Sequence, residues 1–380
     1  MPWDAAELWV GRLPGAESGA PEGVLDARRV AGGHKAGREP VSVCLPKWDD
    51  EGRLWWCDDR EDRWVLRRAG EPGVPPAGGG DRRPAFWDGG GEVGVPRWAS
   101  GGSRFAFCAD AAAGSGSSAA LVAAESLDGL DRMVVVPVAG EPGAPGSGDG
   151  VPPGAPAGDG FDDAEPGWVD MVVGDGEHVA AIAGSPRRPT SVLLWGPPAS
   201  SAGRPPAPRA FGGSAWPLPE ESISLPEAVT FATPSRDDAA VGVAHCLFYP
   251  PSLAGFEGLD GELPPLVVRI HGGPTGAARA ELSPSVQFWT TRGFAVAEVN
   301  YRGSSGYGRA YRNELRGGWG RIEVEDCIAA AEHLADRGRV DRGRCVIRGG
   351  SAGGLTAIEA VCALPPPAAS GSQRPPPSTA

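Results

Sequence analysis

The stretch that most restricts what this chain can become is Val346-Ile347-Arg348-Gly349-Gly350-Ser351-Ala352-Gly353-Gly354. An apolar, β-branched pair runs into Gly-x-Ser-x-Gly. That pattern reads as a strand, a glycine-tight turn and a helix start, with the serine hydroxyl raised above a parallel sheet. The glycines have a steric reason: at Gly349 and Gly353 a Cβ would collide with a neighbouring strand or helix. The helix that follows aims its positive end at the serine. Ser351 is the candidate nucleophile.

The residues before this turn have the grammar of an α/β unit. Leu266-Val267-Val268-Arg269-Ile270 is short and nearly all apolar, as a strand covered on both sheet faces must be, and it ends in His271-Gly272-Gly273-Pro274. A helical segment is expected around 286–291 and a second buried strand over 294–301. The glycines of the following 302–308 loop match neither a dinucleotide fingerprint nor a phosphate loop. From Ile322 the apolar positions Ile322, Cys327, Ile328, Ala331, Leu334 and Ala335 recur at helical spacing, with Glu323, Glu325, Asp326 and Glu332 interleaved, which predicts an amphipathic helix on the sheet. Further upstream, 228–231 and 241–249 read as paired strands joined by a polar turn, with His245 a packed residue.

In acyl transfer the attacked carbonyl becomes an oxyanion, and donors must already point to where that charge develops. An α/β-hydrolase supplies one from the backbone N–H after the nucleophile, here Ala352. The other comes from a Gly-rich loop after an earlier strand, here Gly273. Two motifs in the required order are far more specific than either alone.

The N-terminal half repeats. Trp3, Trp48, Trp98 and Trp168 lie 45, 50 and 70 residues apart, each after a proline and near a short alternating run, and the longest interval holds a Gly/Pro-rich insertion over 140–160. Spacings of about 40–50 residues with several short strands per unit are those of propeller blades. His34 and His178 stand alone, without partners at metal-ligand spacing, so no metal site and no cofactor is expected. A Pro/Ala/Ser-rich stretch over 201–208 marks a domain boundary. The seven cysteines form no Cys-x-x-Cys pair and read as reduced core residues. The net charge of -13 argues against nucleic acid or an anionic membrane as partner, and the start lacks the basic and apolar regions of a signal peptide, so a cytoplasmic protein is expected.

From about 223 to 363 the sequence resembles the catalytic domain of the prolyl oligopeptidase family of serine peptidases, especially its acylaminoacyl-peptidase and dipeptidyl-aminopeptidase branch. The resemblance rests on Tyr249-Pro250-Pro251, His271-Gly272-Gly273-Pro274, Gln287-Phe288-Trp289, Arg292-Gly293-Phe294, Asn300-Tyr301-Arg302-Gly303-Ser304, Gly306-Tyr307-Gly308, Trp319-Gly320 and the stretch from Gly349 to Gly354. It implies a β-propeller over 1–205, an α/β-hydrolase domain over 222–364 and a low-complexity tail over 365–380. It also implies Ser351 as nucleophile, Gly273 and Ala352 as oxyanion donors, and short peptides as substrates. The departure is at the triad. In this fold an Asp and then a His follow the serine, and after Ser351 this sequence has neither. The expectation is therefore a peptidase sequence incomplete at both ends, with an inactive pseudo-hydrolase or a propeller-based binding protein as the alternative. An esterase is a further reading of the same motifs. Oligomeric state and cleavage preference are open.

Overall fold

The computed structural model describes residues 6–12, 25–33, 41–48, 54–59, 65–68, 98–101, 104–110, 119–124, 133–137, 168–174, 179–195, 209–212, 217–235 and 241–363. The 140–160 insertion, the 201–208 boundary, His34, His178 and the 365–380 tail lie outside them.

Four antiparallel sheets come first. β1 (Glu7–Arg12) pairs with β2 (Leu25–Gly32). β3 (Val43–Trp48), β4 (Leu54–Asp58) and β5 (Val65–Arg68) form the second sheet. β6 (Trp98–Gly101), β7 (Arg104–Asp110), β8 (Ala119–Ala124) and β9 (Met133–Pro137) form the third. β10 (Trp168–Gly174), β11 (Val179–Gly184), β12 (Ser191–Trp195) and β13 (Arg209–Phe211) form the fourth. Each sheet pairs strands that are consecutive in the chain, all antiparallel. Trp98 and Trp168 open the third and fourth sheets, whereas Trp48 closes β3. Among the described residues these are separate antiparallel sheets and not a closed propeller. β4 is buried along its whole length, with Trp55 and Trp56 at its centre.

The C-terminal part is one mixed sheet in the order β14-β15-β17-β16-β18. β14 (Glu227–Pro234) and β15 (Val241–Tyr249) are the paired strands expected, and β15 runs antiparallel to β17 (Ala295–Asn300). β16 (Leu266–Ile270) lies parallel to β17 on one side and to β18 (Cys345–Gly349) on the other. β16 and β17 are buried on both faces, which is why their sequences are apolar throughout instead of alternating. α1 (Pro284–Thr290) covers one face; α3 (Ile322–Asp336) and α4 (Ala352–Ala363) cover the other. A short helix not expected from the sequence, α2 (Gly308–Asn313), fills the 302–321 connection. It carries a link between the two parts of the chain: Arg312 donates to the buried Asp59 carboxylate at 2.5 Å.

Two sequence readings need correction. Glu323 and Asp326 are buried and do not lie on a solvated face of α3. Asp326 accepts from the Arg302 backbone N–H (2.7 Å), from its guanidinium (2.7 and 3.0 Å) and from the Thr233 hydroxyl (2.6 Å), while Glu323 accepts the Gly320 N–H at 2.7 Å. Asp326 is fully paired, as a buried carboxylate must be to stay charged, whereas Glu323 Oε2 has no hydrogen-bond partner among the described residues. The cysteines also divide. Cys57, Cys246 and Cys327 are buried, as expected, but Cys345 and Cys362 are exposed. His245 is half-buried and stacked on Tyr307 with ring centroids 4.4 Å apart, the packed residue anticipated. No helix among the described residues is long and apolar enough to cross a membrane.

Candidate active site

Ser351 stands between β18 and α4 with φ of 55°, in the left-handed region that a serine enters only when its surroundings force it. Its side chain is exposed. The flanking glycines supply the force. A Cβ on Gly349 would lie 2.3 Å from the Gly353 carbonyl oxygen, so strand and helix meet there with no space between them. A Cβ on Gly353 would lie 2.6 Å from the Ile270 oxygen and 2.8 Å from the His271 oxygen, which seats the first turn of α4 on the end of β16. Both glycines are thus required for the reason read from the sequence.

The same seating brings the two motifs together. A Cβ placed on Gly272 would lie 3.4 Å from Ser351 Cβ and 3.9 Å from its Oγ. Gly273, next in the loop, has φ of 127°, a conformation that favours glycine, and its N–H donates to no backbone carbonyl among the described residues. Ala352 opens α4, and its N–H is likewise undonated, as first-turn N–H groups of a helix are. Residues far apart in sequence thus bring the Gly272 backbone beside the Ser351 side chain.

The histidine that opens this loop is turned elsewhere. His271 Nε2 is 2.8 Å from Ser304 Oγ and Nδ1 is 2.9 Å from the Gly272 oxygen, with the ring stacked on Tyr301 at 4.4 Å. Burial holds its pKa below the ordinary value, opposed by the Gly272 carbonyl. Among the described residues no histidine hydrogen-bonds the Ser351 hydroxyl. Behind His271 lies a polar cavity of about 210 Å³ lined in part by Arg269, Arg279, Glu281 and Glu298. Burial raises the pKa of both glutamates, and Arg269 opposes this, with its guanidinium 3.0 Å from Glu298. No group of three or more His, Cys, Asp or Glu among the described residues is placed to hold a metal ion.

The 300–305 segment was legible as the end of a strand and the start of a loop, but not as a support. Tyr301 O–H donates to the Pro274 oxygen (2.5 Å), Ser305 N–H to the Gly276 oxygen (3.0 Å) and Ser305 O–H to the Thr275 oxygen (2.6 Å). The Asn300 side chain makes a two-way contact with the Ala278 backbone at 2.7 and 3.2 Å. The small polar residues after a buried strand are the one sequence signal that pointed this way, since such hydroxyls find backbone partners nearby.

Comparison with known proteins finds similarity in the same part of the chain. Residues 280–366 match the model of the prolyl oligopeptidase family. Dipeptidyl peptidase family member 6 of Caenorhabditis elegans is 35% identical over 100 residues, which are 26% of this chain and 14% of that protein. The acylamino-acid-releasing enzyme of Arabidopsis thaliana is 34% identical over 96 residues, 25% of this chain and 13% of that protein. Among solved structures, a puromycin hydrolase superposes with a TM-score of 0.67 at 31% identity, over 96% of this chain and 47% of that one. The chain thus spans about half the length of the solved structure it matches. Family model and relatives agree that the C-terminal part of this chain is similar in sequence to the prolyl oligopeptidase family.

Proposed function

We propose that this chain carries the nucleophile and the oxyanion donors of a serine peptidase that cleaves short peptides through an acyl-enzyme on Ser351. The observation that carries the reading is the meeting of Ser351 with the Gly272–Gly273 loop across the sheet. In it, Ser351 Oγ adds to the peptide carbonyl. The Gly273 and Ala352 N–H groups receive the oxyanion, and the leaving amine departs before water releases the acyl group. The four antiparallel sheets are read as blades of a partial propeller and 222–364 as the hydrolase domain; because β13 pairs with β12, the first unit runs on to Phe211 and past the 1–205 bound read from the sequence. Short antiparallel meanders, each consecutive in sequence, support that division.

A general base is the missing part. No Asp or His follows Ser351, and a serine hydroxyl without a base is a weak nucleophile. Turnover of peptides by these 380 residues alone is expected to be undetectable, with Ser351 still open to a strong electrophile. The same observation favours a second reading, a pseudo-hydrolase that binds without cleaving. Prolonged incubation with a fluorophosphonate, followed by intact mass and peptide mapping, separates the two. An adduct on Ser351 that is absent from Ser351→Ala supports the peptidase site, and no adduct supports the pseudo-hydrolase. Paired peptide and ester substrates test the choice of peptidase over esterase.

A further inference from the structure

Two glutamates on neighbouring helices meet in the interior, and the acyl-transfer reading uses neither. Glu323 lies in the first turn of α3 and Glu359 in the second half of α4. Both close on Gly320. The Gly320 N–H donates to Glu323 Oε1 at 2.7 Å. A Cβ on Gly320 would lie 3.3 Å from Glu359 Oε2 and 3.8 Å from its Oε1, so this carboxylate takes the space a side chain would fill. Glu323 is wholly buried; Glu359 is half-buried, with its Oε2 out of reach of solvent. Neither Oε2 has a hydrogen-bond partner among the described residues, and neither carboxylate forms an ion pair with a described Arg or Lys.

The other groups facing Glu323 supply no positive charge. On α3 itself, Asp326 is committed to Arg302 and Thr233, and Cys327 is a buried thiol. Just past β17 comes Tyr301, whose hydroxyl donates to the Pro274 oxygen. Burial holds the Glu323 pKa above its ordinary value of 4.5; repulsion from Glu359 and Asp326 adds to this, and the N–H groups of Glu323 and Gly320 oppose it. Two ionised carboxylates facing one another in the interior repel, and each keeps an oxygen with nothing to accept. One proton removes both faults, because the O–H of a carboxylic acid donates to the carboxylate opposite.

We propose that Glu323 and Glu359 share one proton, and that this acid pair is a pH-sensitive clamp between α3 and α4, the helix that starts directly after Ser351. With the proton in place, Gly320 and both helices are tied by consecutive hydrogen bonds. As pH rises through the titration of the pair, attraction between the helices turns into repulsion and the seat of the nucleophile turn loosens. A carboxyl whose folded-state pKa is raised contributes stability that is complete below the ordinary value of 4.5 and is lost as pH rises through the raised one.

The test is urea unfolding of the whole chain beside Glu359→Gln, whose amide donates to Glu323 Oε2 without taking up a proton, over a series of pH values from 4.5 upward. Folding of the unmodified chain holds one proton that folding of the variant does not need. The ratio of their folding constants should therefore fall by up to about tenfold per pH unit, levelling off once the pair has titrated. Glu323→Gln should give the same trend from the α3 side. At the acid end of the range, infrared spectra should show a protonated-carboxyl carbonyl band that both variants lack. A ratio that does not move with pH, or no such band, overturns the proposal. So does stabilisation of the unmodified chain by calcium chloride that EDTA reverses and Glu359→Gln lacks, because a cation then lies between the carboxylates. Amide exchange reads the clamp itself. As pH rises, α4 amides should open faster in the unmodified chain than in Glu359→Gln, with α1 on the opposite face unchanged; an equal change in α1 assigns the pair to global stability and counts against the clamp.

Discussion

Two loops meet at the candidate site and are held in opposite ways. The 271–276 loop leaves β16, an interior strand, and is gripped by hydrogen bonds from Tyr301, Ser304 and Ser305. The elbow around Ser351 leaves β18, which is the edge of the sheet among the described strands and exposed along most of its length. The face of α4 turned inward is made of small residues, Gly353, Thr356 and Ala360, while Leu355, Ile358 and Val361 face out. An apolar cleft of about 430 Å³ beside β18 is lined by Cys327, Ala331, Val346, Ile347 and Val361. The donor side is thus fixed by polar bonds in an interior, and the nucleophile side by glycine sterics at an edge. A catalytic geometry can be written into a chain by either means, and substitutions should reveal which one operates where.

The largest expected effect lies beneath the donor side. Asp326→Ala leaves Arg302 buried without its partner and should cost about 3–5 kcal/mol in urea unfolding. A cost under about 1 kcal/mol would mean that the pair does not anchor the 300–305 segment. On the nucleophile side, Gly353→Val drives a side chain into the Ile270 and His271 carbonyls and should cost about 1–3 kcal/mol while separating Ser351 from the loop. Unchanged stability and labelling would show that α4 is not seated as described. Ser351→Gly has the opposite sign, since it relieves the strained φ and should raise stability by about 1 kcal/mol while abolishing covalent labelling. No gain would indicate that the elbow carries no strain.

The smallest effect is in pH dependence. Burial lowers the His271 pKa in the folded state, so the unfolded chain binds the extra proton first. The stability that the neutral ring contributes is fully present above the ordinary histidine value of 6.5 and declines as pH falls below it. His271→Asn should flatten that limb of the stability curve. An identical slope in the variant would mean that His271 titrates as it does in the unfolded chain.

The C-terminal sheet was largely legible because its strands are continuous apolar runs bounded by turn residues, and α3 because its period is helical. α2 was not, since it is six residues long and starts at a glycine. The burial of Asp326 was not legible, because charge normally marks a solvated face and the partners that permit its burial are remote. Arg302 lies 24 positions from Asp326, and Thr233 lies 93. Ser351, Gly273 and Ala352 were readable as motifs in order, but the contacts of His271 with Ser304 and with the Gly272 oxygen join residues that only the fold brings together. In the N-terminal half the tryptophan spacing did mark sheet starts at Trp98 and Trp168, while the arrangement of the sheets is not a sequence-period property.

The central claim is that the Gly272–Gly273 loop and the Ser351 elbow form one site within this chain, and disulfide trapping tests it without requiring turnover. A Cβ at Gly272 lies 3.4 Å from that of Ser351, near the usual disulfide separation of about 3.5–4.5 Å. In a background with the exposed Cys345 and Cys362 replaced by serine, Gly272→Cys combined with Ser351→Cys should close to a bridge under mild oxidation. The product would be lower in mass by two hydrogens, with the 272 and 351 peptides linked, and neither single variant should form it. If both thiols instead stay free and alkylatable while the protein remains folded, the loop and the elbow are apart and the site described does not exist.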